Sequence, residues 1–292
     1  MDLITSTIIP PALLPLVVII AALLLERFLP LHHSIDPLSL YRFVCERMAS
    51  KVLKTHYVGQ QALISGTLAL VVLLAPTLII MYLLHSFASY QWLLDILILY
   101  VLLQYSHHVK KVTKAITALQ QNKKQLAKNL LQPHVLRQVA PLSAMGLIKA
   151  SIESLYLRYM YQQVAVIFCY VLAGPVFALA YRLCYEANHA WNPKLAHFGD
   201  FGRFATAAVK LVQIIPVALS AWLLVIFLKP TTAFRLVGSS IYWKGLLQHQ
   251  YPTLLLSLSY ALQIKTGGPA MYANTKVRRM RFSDAKRACN EP

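Results

Sequence analysis

Apolar residues along this chain fall in long blocks, not in the alternation of a strand or the stripe of a surface helix. Crossing a hydrocarbon core about 30 Å thick takes roughly 20 apolar residues in a helix rising about 1.5 Å per residue. Blocks at residues 8–29, 62–84, 90–105, 164–183 and 205–228 have that character, the third being the shortest. The pattern predicts an all-α polytopic integral membrane protein with about five transmembrane helices, organised as a single membrane domain over residues 1–292. Pro10, Pro11 and Pro15 are expected to start or kink the first helix. That block has no basic leader and no small-residue cleavage pattern, and it is longer than a signal h-region, so it is expected to be retained.

Between the third and fourth blocks the pattern changes. Val109, Val112, Ile116, Leu119, Leu126 and Leu130 recur three, four or seven apart, while Lys110, Lys111, Lys114, Lys123, Lys124 and Lys128 occupy other faces. This predicts a basic amphipathic helix, lying on an anionic leaflet or on the protein's own cytosolic layer. Pro133 and Pro141 interrupt it, and a second helical stretch from Met145 leads into the fourth block. The apolar run Pro252–Ile264 is too short to cross. It is expected to be re-entrant, interfacial, or buried among other helices.

Composition agrees with lipid as the solvent: 58% of residues are hydrophobic, 13% are charged, and the mean hydropathy is +0.55. A net charge of +18 would suggest nucleic acid were it spread evenly. With the N-terminus outside and five crossings, residues 30–61, 106–163 and 229–292 become cytoplasmic. They hold four, nine and ten Lys and Arg, against none and two in the outer segments. The positive-inside bias accounts for the charge, so the expected partner is the lipid bilayer of the bacterial inner membrane, with the C-terminus cytoplasmic and no nucleic acid.

Cys45, Cys169, Cys184 and Cys289 show no CxxC or His/Cys ligand spacing, and no structural disulfide is expected. The adjacent pairs His32/His33 and His107/His108 diverge by about 100° on a helix and do not chelate one ion, so they read as solvated loop or interface histidines. Asp95 in the third block is either paired within the membrane or close to its outer surface. Lys210 is expected to reach toward water, and Glu26 to pair with Arg27 or with a neighbouring helix.

One loop differs in character. Residues 262–282, LQIKTGGPAMYANTKVRRMRF, place Gly267, Gly268 and Pro269 between an apolar run and a cluster of arginines. Glycine lets the backbone take positive φ or approach a ligand closely. Lys265, Lys276, Arg278, Arg279 and Arg281 supply donors suited to phosphate or carboxylate. The plainer alternative is a glycine helix cap followed by proline.

The order of LLLERF, VLRQVAPLSAMGLIKASIES, LAGPVFALAY, IIPVAL, HQYP and TGGPAMY along the chain resembles the CobD/CbiB family of cobalamin-biosynthesis membrane proteins. The resemblance implies an adenosylcobinamide-phosphate-synthase-like function, in which ATP-dependent amide ligation joins aminopropanol phosphate to adenosylcobyric acid, a corrinoid. It implies Glu153 and His249 as catalytic groups, and Arg137, Gly267, Gly268, Pro269 and Tyr272 as substrate-binding groups. ATP and magnesium are implied as cofactors.

Several acids of the family pattern are missing. Gln138 follows Arg137 where an aspartate is usual, LYLRYMYQ replaces an acidic motif after Glu153, and Val209, Lys210 and Gln213 stand where paired aspartates are expected. Ala218 replaces an arginine. Magnesium bound to phosphates draws on hard oxygen ligands, usually carboxylates, so these departures point to a catalytically degenerate member. The AmpE-like group, linked to β-lactamase induction, is similar at LLLERF and LRYMY and supplies a non-catalytic signalling alternative.

Overall fold

In the computed structural model the described residues are Pro10 and residues 13–31, 36–53, 59–135, 137–193, 195–228, 230–248 and 250–268, with backbone alone at most of 270–272, 275–277 and 281–282. Helix dominates. Among the described residues four helices are long and apolar enough to cross a membrane: Gln60–Phe87, Gln91–Gln120, Ala144–Ala190 and Arg203–Leu228. The first predicted span is described as α1, Leu14–Phe28. Its 15 residues fall short of a full crossing, and most of residues 1–12 lie outside the described set.

Close contacts group the chain into two compact units, residues 1–107 with 166–209, and residues 108–165 with 210–292. The first unit contains α1, α2 (Pro37–Val52), α3 (Gln60–Phe87), α4 (Gln91–Leu102), nearly all of α8 (Ala165–Ala190) and the start of α9 (Arg203–Leu228). Along α3, Ile64, Leu68, Ile79, Ile80, Leu84 and Phe87 are all exposed. A surface of this kind is stable only against lipid. The helix continues through Pro76, where Thr77 bonds back to the carbonyls of Leu73 and Leu74. Asp36 caps α2 by accepting the N–H of Leu38. Glu26, buried at the end of α1, accepts the N–H groups of Tyr105 and Ser106 at 2.9 and 2.5 Å. Of its expected partners, Arg27 or a neighbouring helix, the structure gives the latter, the start of the helix Ser106–Gln120.

The strict alternation of sides does not survive in this unit. It would put residues 30–61 and 184–204 on opposite faces of the bilayer, yet the two segments hold each other. Arg42 binds Glu186, Trp191 donates its indole N–H to the carbonyl of Cys45 at 2.9 Å, and Gly59 donates its N–H to Asp200 at 3.2 Å. Trp191, Phe201, Ala205, Cys45, Ala49 and Leu70 form one apolar cluster there. At the opposite end of α3, Asp95 receives His85 at 2.9 Å and the hydroxyl of Tyr170 at 3.0 Å. Thus α8 runs from the Asp95 end back toward α2, opposite to its direction in an alternating path. Groups in hydrogen-bond contact share one side of a bilayer. Hydropathy measures apolar length and is blind to backbone breaks, and the predicted 164–183 span contains one: Gly174 has φ 80° and ψ −173°.

The second unit contains α5 (Ser106–Gln120) from His108 onward, α6 (Lys124–Leu131), a 3-10 turn Gln132–His134, and α7 (Ala144–Tyr159). It also holds a π-helical segment Met160–Val164, most of α9, α10 (Pro230–Val237), α11 (Ser240–Gln248) and α12 (Tyr251–Leu262). The apolar face of the basic helix pair is covered by protein. Val112, Ala115 and Leu131 pack with Leu147 and Ala150 of α7, leaving Lys110, Lys114, Lys123 and Lys124 exposed. Of the expectations for Pro252–Ile264, burial among other helices is the outcome. Thr253 through Ala261 are all buried in α12, at the centre of a cluster with Val217, Val225, Leu236 and Tyr242. The polar side chains on α12 are satisfied: Thr253 donates to the carbonyl of Tyr242, Ser257 and Ser259 to their own helix, and Tyr156 pairs with Ser257 at 2.9 Å.

Candidate functional site

The glycine stretch is not a simple helix stop. Helix α12 ends at Leu262, and the left-handed cap residue is Gln263 at φ 55°. The glycines lie beyond it in two short antiparallel pairs, elements that the helical reading of the sequence did not predict. β1 (Thr266–Gly267) pairs with β4 (Arg281–Phe282), and β2 (Ala270–Tyr272) pairs with β3 (Thr275–Val277). Gly267 and Gly268 have φ 72° and 102°, in the region that side chains with a Cβ rarely enter. The Thr266 hydroxyl donates to the carbonyl of Leu255 at 2.9 Å, fastening the turn to α12.

Glu153 reaches this turn from α7. The helix is N-capped by Ser143, whose hydroxyl accepts the N–H of Gly146. Leu147, Ala150, Ser151 and Glu153 form its buried face, so the acid occupies a core position and is only 4% exposed. A buried carboxylate needs partners, and Glu153 has two. The N–H of Gly267 donates to Oε1 at 2.8 Å, and Nη2 of Arg137 lies 3.5 Å from Oε2. Arg137 sits in the loop before α7. Gln132 pins that loop by accepting the N–H of Val139 at 3.0 Å and donating to the carbonyl of Arg137 at 3.4 Å, and Lys128 donates to the carbonyl of Ala140.

Three of the residues singled out in the sequence, Arg137, Glu153 and Gly267, therefore converge, and Gly268 follows directly. Tyr272 lies on β2 with its backbone opposite Thr275. His249 and Pro269 fall outside the described residues, as do His32, His33 and Cys289. Cys45, Cys169 and Cys184 are free thiols.

His108 departs from the expectation of a solvated histidine. It is buried, with Nδ1 3.2 Å from Nδ1 of His134 and Nε2 3.3 Å from the Ser154 hydroxyl. Arg158 and Ser154 both donate to the carbonyl of His134. Neither His134 nor Ser154 stood out in the sequence, because partners 26 and 46 residues from His108 leave no periodic signal.

Among the described residues the carboxylates do not gather into a magnesium site of the kind the resemblance implies. Glu26, Asp36, Asp95, Glu153, Glu186 and Asp200 each hold an internal partner, and Glu46 is exposed on α2. Among the described residues no three His, Cys, Asp or Glu side chains come together as a metal site. Among the described residues the acid at the glycine turn is Glu153, which holds an N–H and a guanidinium.

These features describe a helical membrane protein with a glycine turn anchored on a buried glutamate. Residues 19–291 match the family described as CobD/Cbib protein, essentially the whole chain, and the chain belongs to that family. No curated protein and no solved structure matches it.

Proposed function

We propose that this chain is an inner-membrane corrinoid-binding member of the CobD/CbiB family that no longer carries out the ligation of aminopropanol phosphate to adenosylcobyric acid. The observation that carries the reading is the double engagement of Glu153. An acid that holds Gly267 and Arg137 orients the turn, which supports a positioning role for it over a proton-transfer or magnesium-binding one. Arg137, Gly267, Gly268, Pro269 and Tyr272 remain the groups proposed to meet the corrinoid side chains, with Glu153 as their positioning residue. His249 stays a proposed polar contact.

The engaged carboxylates also favour a second reading, an AmpE-like signalling protein that binds no corrinoid. Complementation tests what the two readings share, and β-lactamase induction with corrinoid binding separates them. A strain lacking the synthase, fed adenosylcobyric acid, should not be rescued by this chain under either reading. Altered β-lactamase induction on deletion, without corrinoid binding by the purified protein, would select the signalling role. Rescue would refute both.

A further inference from the structure

In the first unit Arg42 of α2 and Arg182 of α8 share a single carboxylate, Glu186. The Nε of Arg42 donates to Oε2 at 3.0 Å with Nη2 beside it, and Nη2 of Arg182 lies 3.0 Å from Oε1. Glu186 is 0% exposed and Arg182 is 3% exposed, whereas the Arg42 side chain is 37% exposed. Two guanidiniums contact this one carboxylate, and Asp36 acts on Arg42 as a further negative charge without contacting Arg182.

The Nε and Nη1 of Arg182 are buried and meet no acceptor among the described residues. The Tyr185 ring, 5.5 Å from the guanidinium carbon, offers its π face and no lone pair directed at them. His189, one turn beyond Glu186, brings no negative charge. A buried charged donor without an acceptor is costly, so an anion supplied from outside the chain would satisfy the cluster.

We infer that the Arg42–Glu186–Arg182 cluster is a binding site for a phosphate group. A guanidinium presents planar donors matched to the paired oxygens of a phosphate, and the Nε and Nη1 of Arg182 are the donors left to receive them. Arg42 is the accessible member, and its displacement from Glu186 opens the way to Arg182. The surface of α2 around it suits the level of lipid headgroups. Leu40, Phe43 and Val44 are exposed at spacing i, i+3, i+4, Arg47 stacks 5.1 Å over the Phe43 ring, and Lys51 follows in the last turn. Lipid headgroup and free phosphate share this chemistry.

Thermal unfolding of the full chain in neutral nanodiscs tests the site. Phosphatidylglycerol, inorganic phosphate and chloride are titrated at equal ionic strength. A rise in Tm with phosphatidylglycerol alone assigns a lipid headgroup, and a rise with inorganic phosphate assigns a soluble ligand. Arg42→Gln should raise the half-saturating concentration about tenfold. Glu186→Gln, which removes the competing carboxylate, should lower it. If Arg42→Gln does not fold, Arg42→Lys keeps the charge without the planar fork and should bind more weakly than wild type. No response to either phosphate source overturns the site, as does a response that these substitutions leave unchanged or that chloride reproduces.

Discussion

The Glu153 carboxylate accepts the backbone N–H of Gly267 at 2.8 Å across 114 residues of chain. This bond joins the buried face of α7 to a turn that glycine alone adopts without strain, and Arg137 completes the pair from the preceding loop. Replacing one member of a buried ion pair leaves the other charge without compensation, at a cost of about 3–5 kcal/mol. Glu153→Ala should therefore lower stability by about 3 kcal/mol or more. Glu153→Gln should lose less, because its amide oxygen still accepts from Gly267. Thermal or denaturant unfolding in detergent checks both, and a Glu153→Ala variant as stable as wild type would rule out the anchoring role.

The joined segments 30–61 and 184–204 make a topological prediction. Arg47 and His197 are exposed on these two segments. Single cysteines placed at these positions should react with a membrane-impermeant maleimide from the same side of sealed vesicles. Labelling from opposite sides would contradict the contacts of Trp191 with Cys45 and of Asp200 with Gly59.

Cys45 gives a prediction in pH. Burial is the main cause that pushes its thiol up to about 12, with the neighbouring Tyr41 hydroxyl opposing it and Glu186 adding to it. The protonated thiol is favoured in the fold. Its contribution to stability is fully present below the ordinary thiol value near 9 and is lost as pH rises through about 12. At pH 8 the thiolate, the reactive form, is scarce. Iodoacetamide should leave Cys45 unmodified in folded protein and modify it after denaturation, as read by peptide mass. Rapid modification of the folded protein at pH 8 would contradict this environment.

Much of the architecture was legible because lipid imposes it. The apolar lengths of α3 and α9 are set by bilayer thickness, and the heptad-like spacing of Val112, Leu119 and Leu130 marked the helices that cover α7. The resemblance, not periodicity, drew attention to Arg137, Glu153 and Gly267. Their convergence was not visible, since nothing local links positions 137, 153 and 267.

The missed features have identifiable causes. The same-side pairing of Arg42 with Glu186 depends on the path of α8, and its break at Gly174 is hidden inside an apolar run. Helix α12 was ambiguous because a largely apolar helix of 12 residues fits a buried and a re-entrant position equally well. The strand pairs at Thr266–Gly267 and Ala270–Tyr272 involve two or three residues each, too few for an alternation to register. His108 looked solvated only because its partners His134 and Ser154 are remote in sequence.

Incubation of the purified chain in nanodiscs with adenosylcobyric acid, aminopropanol phosphate, ATP and magnesium bears most directly on the assigned role. Corrinoid bound to wild-type protein, weakened by Arg137→Gln, with no amide product formed, is the predicted result. Formation of the amide product by wild-type protein and its loss in Glu153→Gln would contradict it, making Glu153 a participant in the reaction and not the support of the glycine turn.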